Sequence, residues 1–326
     1  MNDVTRQHTD VLPRRDLLRA LAGAALCLPA LPLLGAERSL TATDLMPDFW
    51  ATYDATRSLE SAARVDALVE RFFAPHQADY ERAGASPSAH AVAGWLPKFD
   101  ALEPGVRRLH REFPARLAAA GDAFRAALPD FDPVLSPLTV LPSLFRFDAH
   151  LESAAGQLPL FFGLDGIVRL HGADAHLGVL MSHELFHCYQ AQCNPALALK
   201  PKTTVCETMW LEGTATYASE RLNPGEPLVR VLLDDVALAG MSVDALRDAA
   251  RAALAQFDVD DDAVVGRYFD MGGQAPWPAR AGYHVGLLAA RAIGAHASLK
   301  EMAAMPLAEF RPALRRAVEA LASAGP

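Results

Sequence analysis

An α+β fold, mainly α-helical, with a small β-sheet packed beside one buried helix, is what the sequence predicts, and three observations predict it. Residues 44–128 are rich in Ala, Leu and Arg with apolar residues at helical spacing, as in Leu59, Ala62, Ala63, Leu68 and Phe72. A proline-studded segment, 129–142, then breaks helix, and the residues after it alternate like strands. From residue 175 onward the helical pattern returns in segments parted by Pro- and Gly-containing loops. With 326 residues, 51% apolar and 21% charged, the chain can bury a sizeable core, and no linker or internal repeat forces a division. The expected regions are 37–128, a helical N-terminal region, and 129–326, which carries the chemistry and can be continuous with it.

Each element follows in order. Residues 1–36 read as an address: Arg14-Arg15-Asp16-Leu17-Leu18-Arg19 precedes an apolar run, 20–34, that closes in Leu34-Gly35-Ala36. This is the pattern of a twin-arginine signal peptide cleaved near Ala36, which implies a periplasmic or secreted protein. The run is interrupted by Pro29 and Pro32 and falls short of the roughly 20 residues that span a bilayer, so no stable membrane span is expected in the mature form. Past the proline segment, Phe145 and Phe147 alternate with Arg146 and Asp148. Residues 158–170 set Phe161, Phe162, Ile167 and Val168 around Gly163 and Gly166, and both stretches read as strand. A helix is expected over 175–192 and another over 204–222, stopped by Asn223-Pro224-Gly225. Residues 272–278 form a second long loop, helix resumes at about 282, and 310–321 is a terminal amphipathic helix.

The formal charge is −9; residues 1–36 contribute four Arg and three Asp, a net +1, so the mature chain carries about −10. With Arg dispersed, nothing forms a phosphate-binding face and nucleic acid is not an expected partner. Cys188, Cys193 and Cys206 remain after cleavage, and a Cys193–Cys206 bridge is the favoured pairing, closing the loop 194–205.

The chemistry-bearing stretch is His183-Glu184-Leu185-Phe186-His187. At i and i+4 on a helix, the two imidazoles leave one face about 5–6 Å apart and can share a tetrahedral ion, while Glu184, beside the first, reaches a water without binding the metal. A catalytic zinc needs a third protein ligand and an open position. Cys193 is one candidate, although the pattern that would place a ligand there wants glycine where Gln190 stands. Glu212, in Trp210-Leu211-Glu212-Gly213-Thr214-Ala215-Thr216-Tyr217, is the other. Glu207 lies about 140° round the same helix and Glu220 about 12 Å along it, so neither can join Glu212 at one ion. Gly213 would permit close approach to the first helix, and Trp210 and Tyr217 read as core. Of the dispersed histidines only His176 lies on the first site helix.

H-E-x-x-H followed by W-L-x(0–1)-E-G-x-A-x-Y resembles the gluzincin clan of zinc metallopeptidases, over about 40 residues here. The resemblance implies a zincin-like core, one Zn2+ held by His183, His187 and Glu212, and peptide-bond hydrolysis by a zinc-activated water with Glu184 as general base. It implies a peptide or protein substrate and, by analogy with the clan, an edge strand from Leu158 to Leu170 placed to hold the substrate backbone. Gluzincins often take their oxyanion donor from a later Tyr or His, and in Gly282-Tyr283-His284-Val285-Gly286 Tyr283 is favoured over His284. The chain lacks the G-x-M-E-N segment that reads a free N-terminus in related aminopeptidases, and Ala215 stands where thermolysin-like enzymes carry Asp. It looks most like the small predicted bacterial zinc-dependent proteases of unknown function that share a late Gly-Tyr. Two rival readings stay open: a non-catalytic binding protein stapled by zinc, and a zinc hydrolase of a non-peptide amide or ester.

Overall fold

A computed structural model describes residues 40–152, 158–273 and 275–323. The expected export signal, residues 1–36, lies outside them. Helix makes up 66% of the structure and a four-stranded mixed sheet completes it, so the class is α+β, mainly α. In chain order come β1 (Ala42–Asp44), α1 (Met46–Ala55), α2 (Ser61–Leu68) running into a π-helical turn, α3 (Gln77–Arg82) and α4 (Ala89–Ala127). They are followed by β2 (Leu138–Leu141), β3 (Ala149–Leu151), β4 (Leu160–Gly163), α5 (Leu164–His171), α6 (Leu177–Cys193), α7 (Pro195–Ala198) and α8 (Val205–Leu222). Seven helices close the chain: α9 (Leu228–Val231), α10 (Val236–Ala239), α11 (Val243–Ala255), α12 (Asp262–Phe269), α13 (Ala281–Gly294), α14 (Leu299–Ala304) and α15 (Leu307–Ser323).

The sheet order is β1-β2-β4-β3, with β1, β2 and β4 parallel and β3 antiparallel to β4. Strand β1 belongs to the stretch expected to be helical, and its pairing Thr43 to Thr139 carries the sheet across the 128/129 boundary. The strand expectation for 158–170 is overturned in two ways. Only Leu160–Gly163 is strand, and it is paired on both sides; the edges of the sheet are β1 and β3. Helix α5 starts at Leu164 because the buried positions Leu164, Ile167 and Val168 then fall at helical spacing, a pattern that a short apolar run does not distinguish from strand. The alternation at Phe145 and Phe147 also misleads. Leu144 and Phe145 have φ of 56° and 60°, and the segment is a turn whose amides are gathered by one carboxylate.

That carboxylate is Asp165, fully buried, which accepts from Ser143 N at 2.6 Å, Phe145 N at 2.8 Å and Trp95 Nε1 at 2.9 Å. It satisfies otherwise orphaned donors and ties α4 and α5 to the turn that leads into β3. Helix α4 is about 58 Å long at 1.5 Å per residue, despite Pro97, Pro104 and Pro114 inside it. Its buried face, including Trp95, Phe99, Val106, Phe113 and Phe124, packs on α1, α5 and α6.

Two apolar clusters result. One joins α1, α4, the sheet and α6; the other joins α8, α11, α13 and α15, with Trp210 stacked on Phe310 at 4.9 Å. Tyr217 belongs to the same cluster, so both aromatics of the motif are core. Helices α6 and α8 lie where the clusters meet, so their contact is packed from both sides. No helix among the described residues is long and apolar enough to cross a membrane.

Candidate metal centre

Helix α6 is buried nearly all round, the mark of a core helix rather than an amphipathic one. It ends where Asn194 precedes Pro195, which disfavours further helix. Helix α8 starts on a capping box, in which Thr204 Oγ1 accepts from Glu207 N and the Glu207 carboxylate accepts from Thr204 N at 2.8 Å. These boundaries set the register of His183 and His187 against Glu212.

The three side chains converge. His183 Nε2 lies 3.1 Å from His187 Nε2, and Glu212 Oε2 is 3.3 Å from the first and 3.4 Å from the second. Two bonds of 2.0–2.1 Å at the tetrahedral angle subtend about 3.3 Å, so the triangle has the edge lengths that a tetrahedral ion with N and O ligands requires. His183 is fully buried and the other two side chains are 14% exposed. The group could hold a metal ion. Burial pushes the His183 pKa below its ordinary value against the opposing pull of Glu212 and Glu184, which keeps the ring in the neutral, metal-binding form. His183 Nδ1 is buried with no hydrogen-bond partner among the described residues, so only its Nε2 side faces other polar groups.

His187 is oriented by a residue that sequence reasoning passed over. Its Nδ1 lies 2.9 Å from Gln190 Oε1, while Gln190 Nε2 donates to Thr214 Oγ1 at 2.7 Å and to Leu211 O at 3.3 Å. Because the amide nitrogen is committed to α8, its oxygen must accept, the proton sits on His187 Nδ1, and Nε2 turns a lone pair to the centre. Gln190 occupies the position where the rival ligand pattern wants glycine, and that departure was the available signal.

No family model, curated protein or solved structure matches this chain. What the centre can do is therefore carried by its own geometry.

Glu184 is 2% exposed in the middle of α6 and lies outside the ligand group. Tyr283, on the first turn of α13, stacks on the His183 ring at 6.1 Å between centroids with 21° between planes. His284 does not reach the centre: its Nδ1 is 2.9 Å from Leu238 O. His176 is also elsewhere, with Nε2 3.1 Å from Glu226. Glu207 pairs with Lys200 at 2.8 Å and Glu220 with Arg291 at 2.9 Å, each away from the centre as the helical angles require.

One alternative and two expectations are corrected. Cys193 does not complete the ligand group; it sits beside Tyr189, its thiol held above the usual range by burial, and a thiol rather than a thiolate is a poor ligand. The Cys193–Cys206 bridge does not form: the three described cysteines are free, and burial lifts the Cys206 thiol to about 12. Gly213 makes room for α13 rather than for α6, because a Cβ there would lie 2.6 Å from the backbone carbonyl group of Gly286. That close crossing brings the start of α13, and Tyr283 with it, to the ligand helices.

Tyr283 also lines a cavity of about 990 Å³, whose walls come from the turn before β3, the end of α5, the segment 233–236 and the segment 262–273. The ligands themselves are not in its lining; Tyr283 stands between the two. His171 crosses one wall, with Nε2 2.8 Å from Asp148 and Nδ1 3.4 Å from Asp234. Burial works against its charge, but the bonds to the two carboxylates outweigh it and raise its pKa to about 9.

Proposed function

We propose that this chain is an exported zinc-dependent metallopeptidase of gluzincin type, acting on peptides or proteins outside the cytoplasm. The observation that carries the reading is the triangle of His183 Nε2, His187 Nε2 and Glu212 Oε2, with edges of 3.1 to 3.4 Å and a buried glutamate next to the first ligand. The N and O donor set, at this spacing and with His187 fixed by Gln190, suits zinc. Export is supported by the twin arginines and the short apolar run of residues 14–36.

When bound, zinc supplies a Lewis acid that polarises a carbonyl and lowers the pKa of water. The chain supplies the remainder. Glu184, held in low-dielectric surroundings beside His183, takes the proton of the attacking water and returns it to the leaving amine. Tyr283, stacked on His183, donates its hydroxyl hydrogen to the oxygen on which charge develops. His187 is pinned through Gln190 and Thr214 to α8, which fixes the direction of one ligand.

The test is to purify residues 37–326, measure zinc stoichiometry, and compare cleavage of a broad peptide library by the native protein and by Glu184→Gln. One zinc per chain is expected, with cleavage lowered by at least ~100-fold in the variant. Cleavage unchanged in Glu184→Gln would sink the mechanism, and bound zinc with no turnover of any peptide would favour a staple.

A further inference from the structure

Five carboxylates, four guanidinium groups and His171 line the cavity, and the pairing among them is uneven. Four guanidinium groups line it, Arg146, Arg169, Arg267 and Arg280, and among the described residues none of them forms an ion pair. The carboxylates there are committed elsewhere. Asp148 and Asp234 hold His171, Asp234 also takes Arg230 at 2.7 Å, and Asp235 caps α10 by accepting from Leu238 N at 2.9 Å. Asp262 and Asp270 have interactions of their own.

Arg280 is the decisive member. It is only 9% exposed, yet among the described residues its side-chain hydrogen bond goes to the weak acceptor Met271 Sδ at 3.6 Å, and it lies over the face of Tyr283, 4.5 Å from guanidinium carbon to ring centroid. A guanidinium has five donors in a fork that fits a carboxylate, and this one lines the cavity. The residue is also held at φ 63°, in left-handed backbone that non-glycine residues rarely adopt, immediately before the N-terminus of α13. The helix dipole there favours an anion as well.

We propose that the cavity receives a peptide bearing a carboxylate, which seats on Arg280 while the scissile bond lies on the far side of Tyr283. This rests on the peptidase reading above. Tyr283 touches both Arg280 and His183, so at 3.3–3.6 Å per residue the carboxylate falls within about three residues of the reacting carbonyl. Both an acidic side chain and a C-terminal α-carboxylate present this chemistry.

Binding is read by titration calorimetry on the full zinc-loaded chain carrying Glu184→Gln, which uncouples it from turnover. The probes are N-acetylated hexapeptides of one neutral sequence: the amide, the free acid, and amides in which a single Glu is walked along the chain. At least one carboxylate-bearing peptide is expected to bind about tenfold or more tighter than the neutral amide. A Glu amide doing so assigns a side chain; the free acid doing so assigns the C-terminus. The gap is expected to close in Glu184→Gln/Arg280→Gln and to be partly restored by Arg280→Lys, with thermal melts verifying that both fold. Equal affinity across the set, or no binding by any member, overturns the proposal, as does a preference that survives Arg280→Gln. Carboxylate preference in binding with no peptide cut by the native protein would sink the peptidase reading and leave the anion site standing.

Discussion

The bond from His187 Nδ1 to Gln190 Oε1 does at the scale of one residue what the helix spacing alone cannot: it decides which nitrogen faces the centre. Groups that orient a ligating histidine are typically worth 10- to 100-fold in metal affinity. Gln190→Ala is therefore expected to weaken zinc binding by about that factor, read by competition with a chromophoric chelator. Affinity equal to that of the native protein would remove Gln190 from the design. Glu212→Ala should strip the third ligand and abolish stoichiometric zinc, whereas Cys193→Ser should retain it, because the Cys193 thiol lies outside the ligand group. Metal analysis of both proteins settles the ligand set, and zinc lost from the serine variant would reinstate the cysteine. The residues that the sequence made legible here, His183, His187 and Glu212, are those whose spacing on helices is itself the signal. Gln190, Asp165 and Arg280 were not legible, since an amide, a carboxylate and a guanidinium become special only through what tertiary packing sets against them.

At the scale of elements, the crossing of α8 and α13 is set by two glycines. A Cβ on Gly213 would press on the Gly286 carbonyl group at 2.6 Å, and one on Gly286 would approach Gly213 Cα and Met209 O at 3.0 Å. Neither obstacle is a flexible side chain, so the helices must separate. Gly213→Ala should cost about 1–3 kcal/mol, the usual penalty of overpacking, and lower the melting temperature by several degrees. Because α13 carries Tyr283, the same substitution should depress kcat more than its loss of stability explains; a melting temperature and kcat both unchanged would show that the crossing tolerates a methyl group. Periodicity was enough to place α6, α8, α13 and α15 within a few residues, since long segments leave a clear 3.6-residue pattern. It failed at 144–147, where a turn organised by Asp165 mimics strand alternation, and over 164–170, where a short apolar run does not tell helix from strand.

Across the whole molecule, His171 joins parts of the chain that the sequence separates widely. It stands in the last turn of α5, where a positive charge is favoured by the helix dipole, and bridges Asp148 before β3 to Asp234 after α9. The bridge ties two walls of the cavity beside Tyr283. With a folded pKa of about 9 against 6.5 unfolded, the charged ring stabilises the fold. The sign follows from linkage: the contribution is complete below pH 6.5 and disappears as pH rises through 9. At its fullest it amounts to about 3 kcal/mol, since one pKa unit corresponds to 1.36 kcal/mol. Asp234 moves consistently, its pKa lowered by the bond to His171 in spite of burial. Melting temperatures of the native protein and His171→Gln, compared from pH 6 to pH 10, should therefore differ most at pH 6 and draw together above pH 9. A gap of constant size across that range would mean that His171 holds the cavity walls by packing alone, and that its charge contributes nothing to the fold.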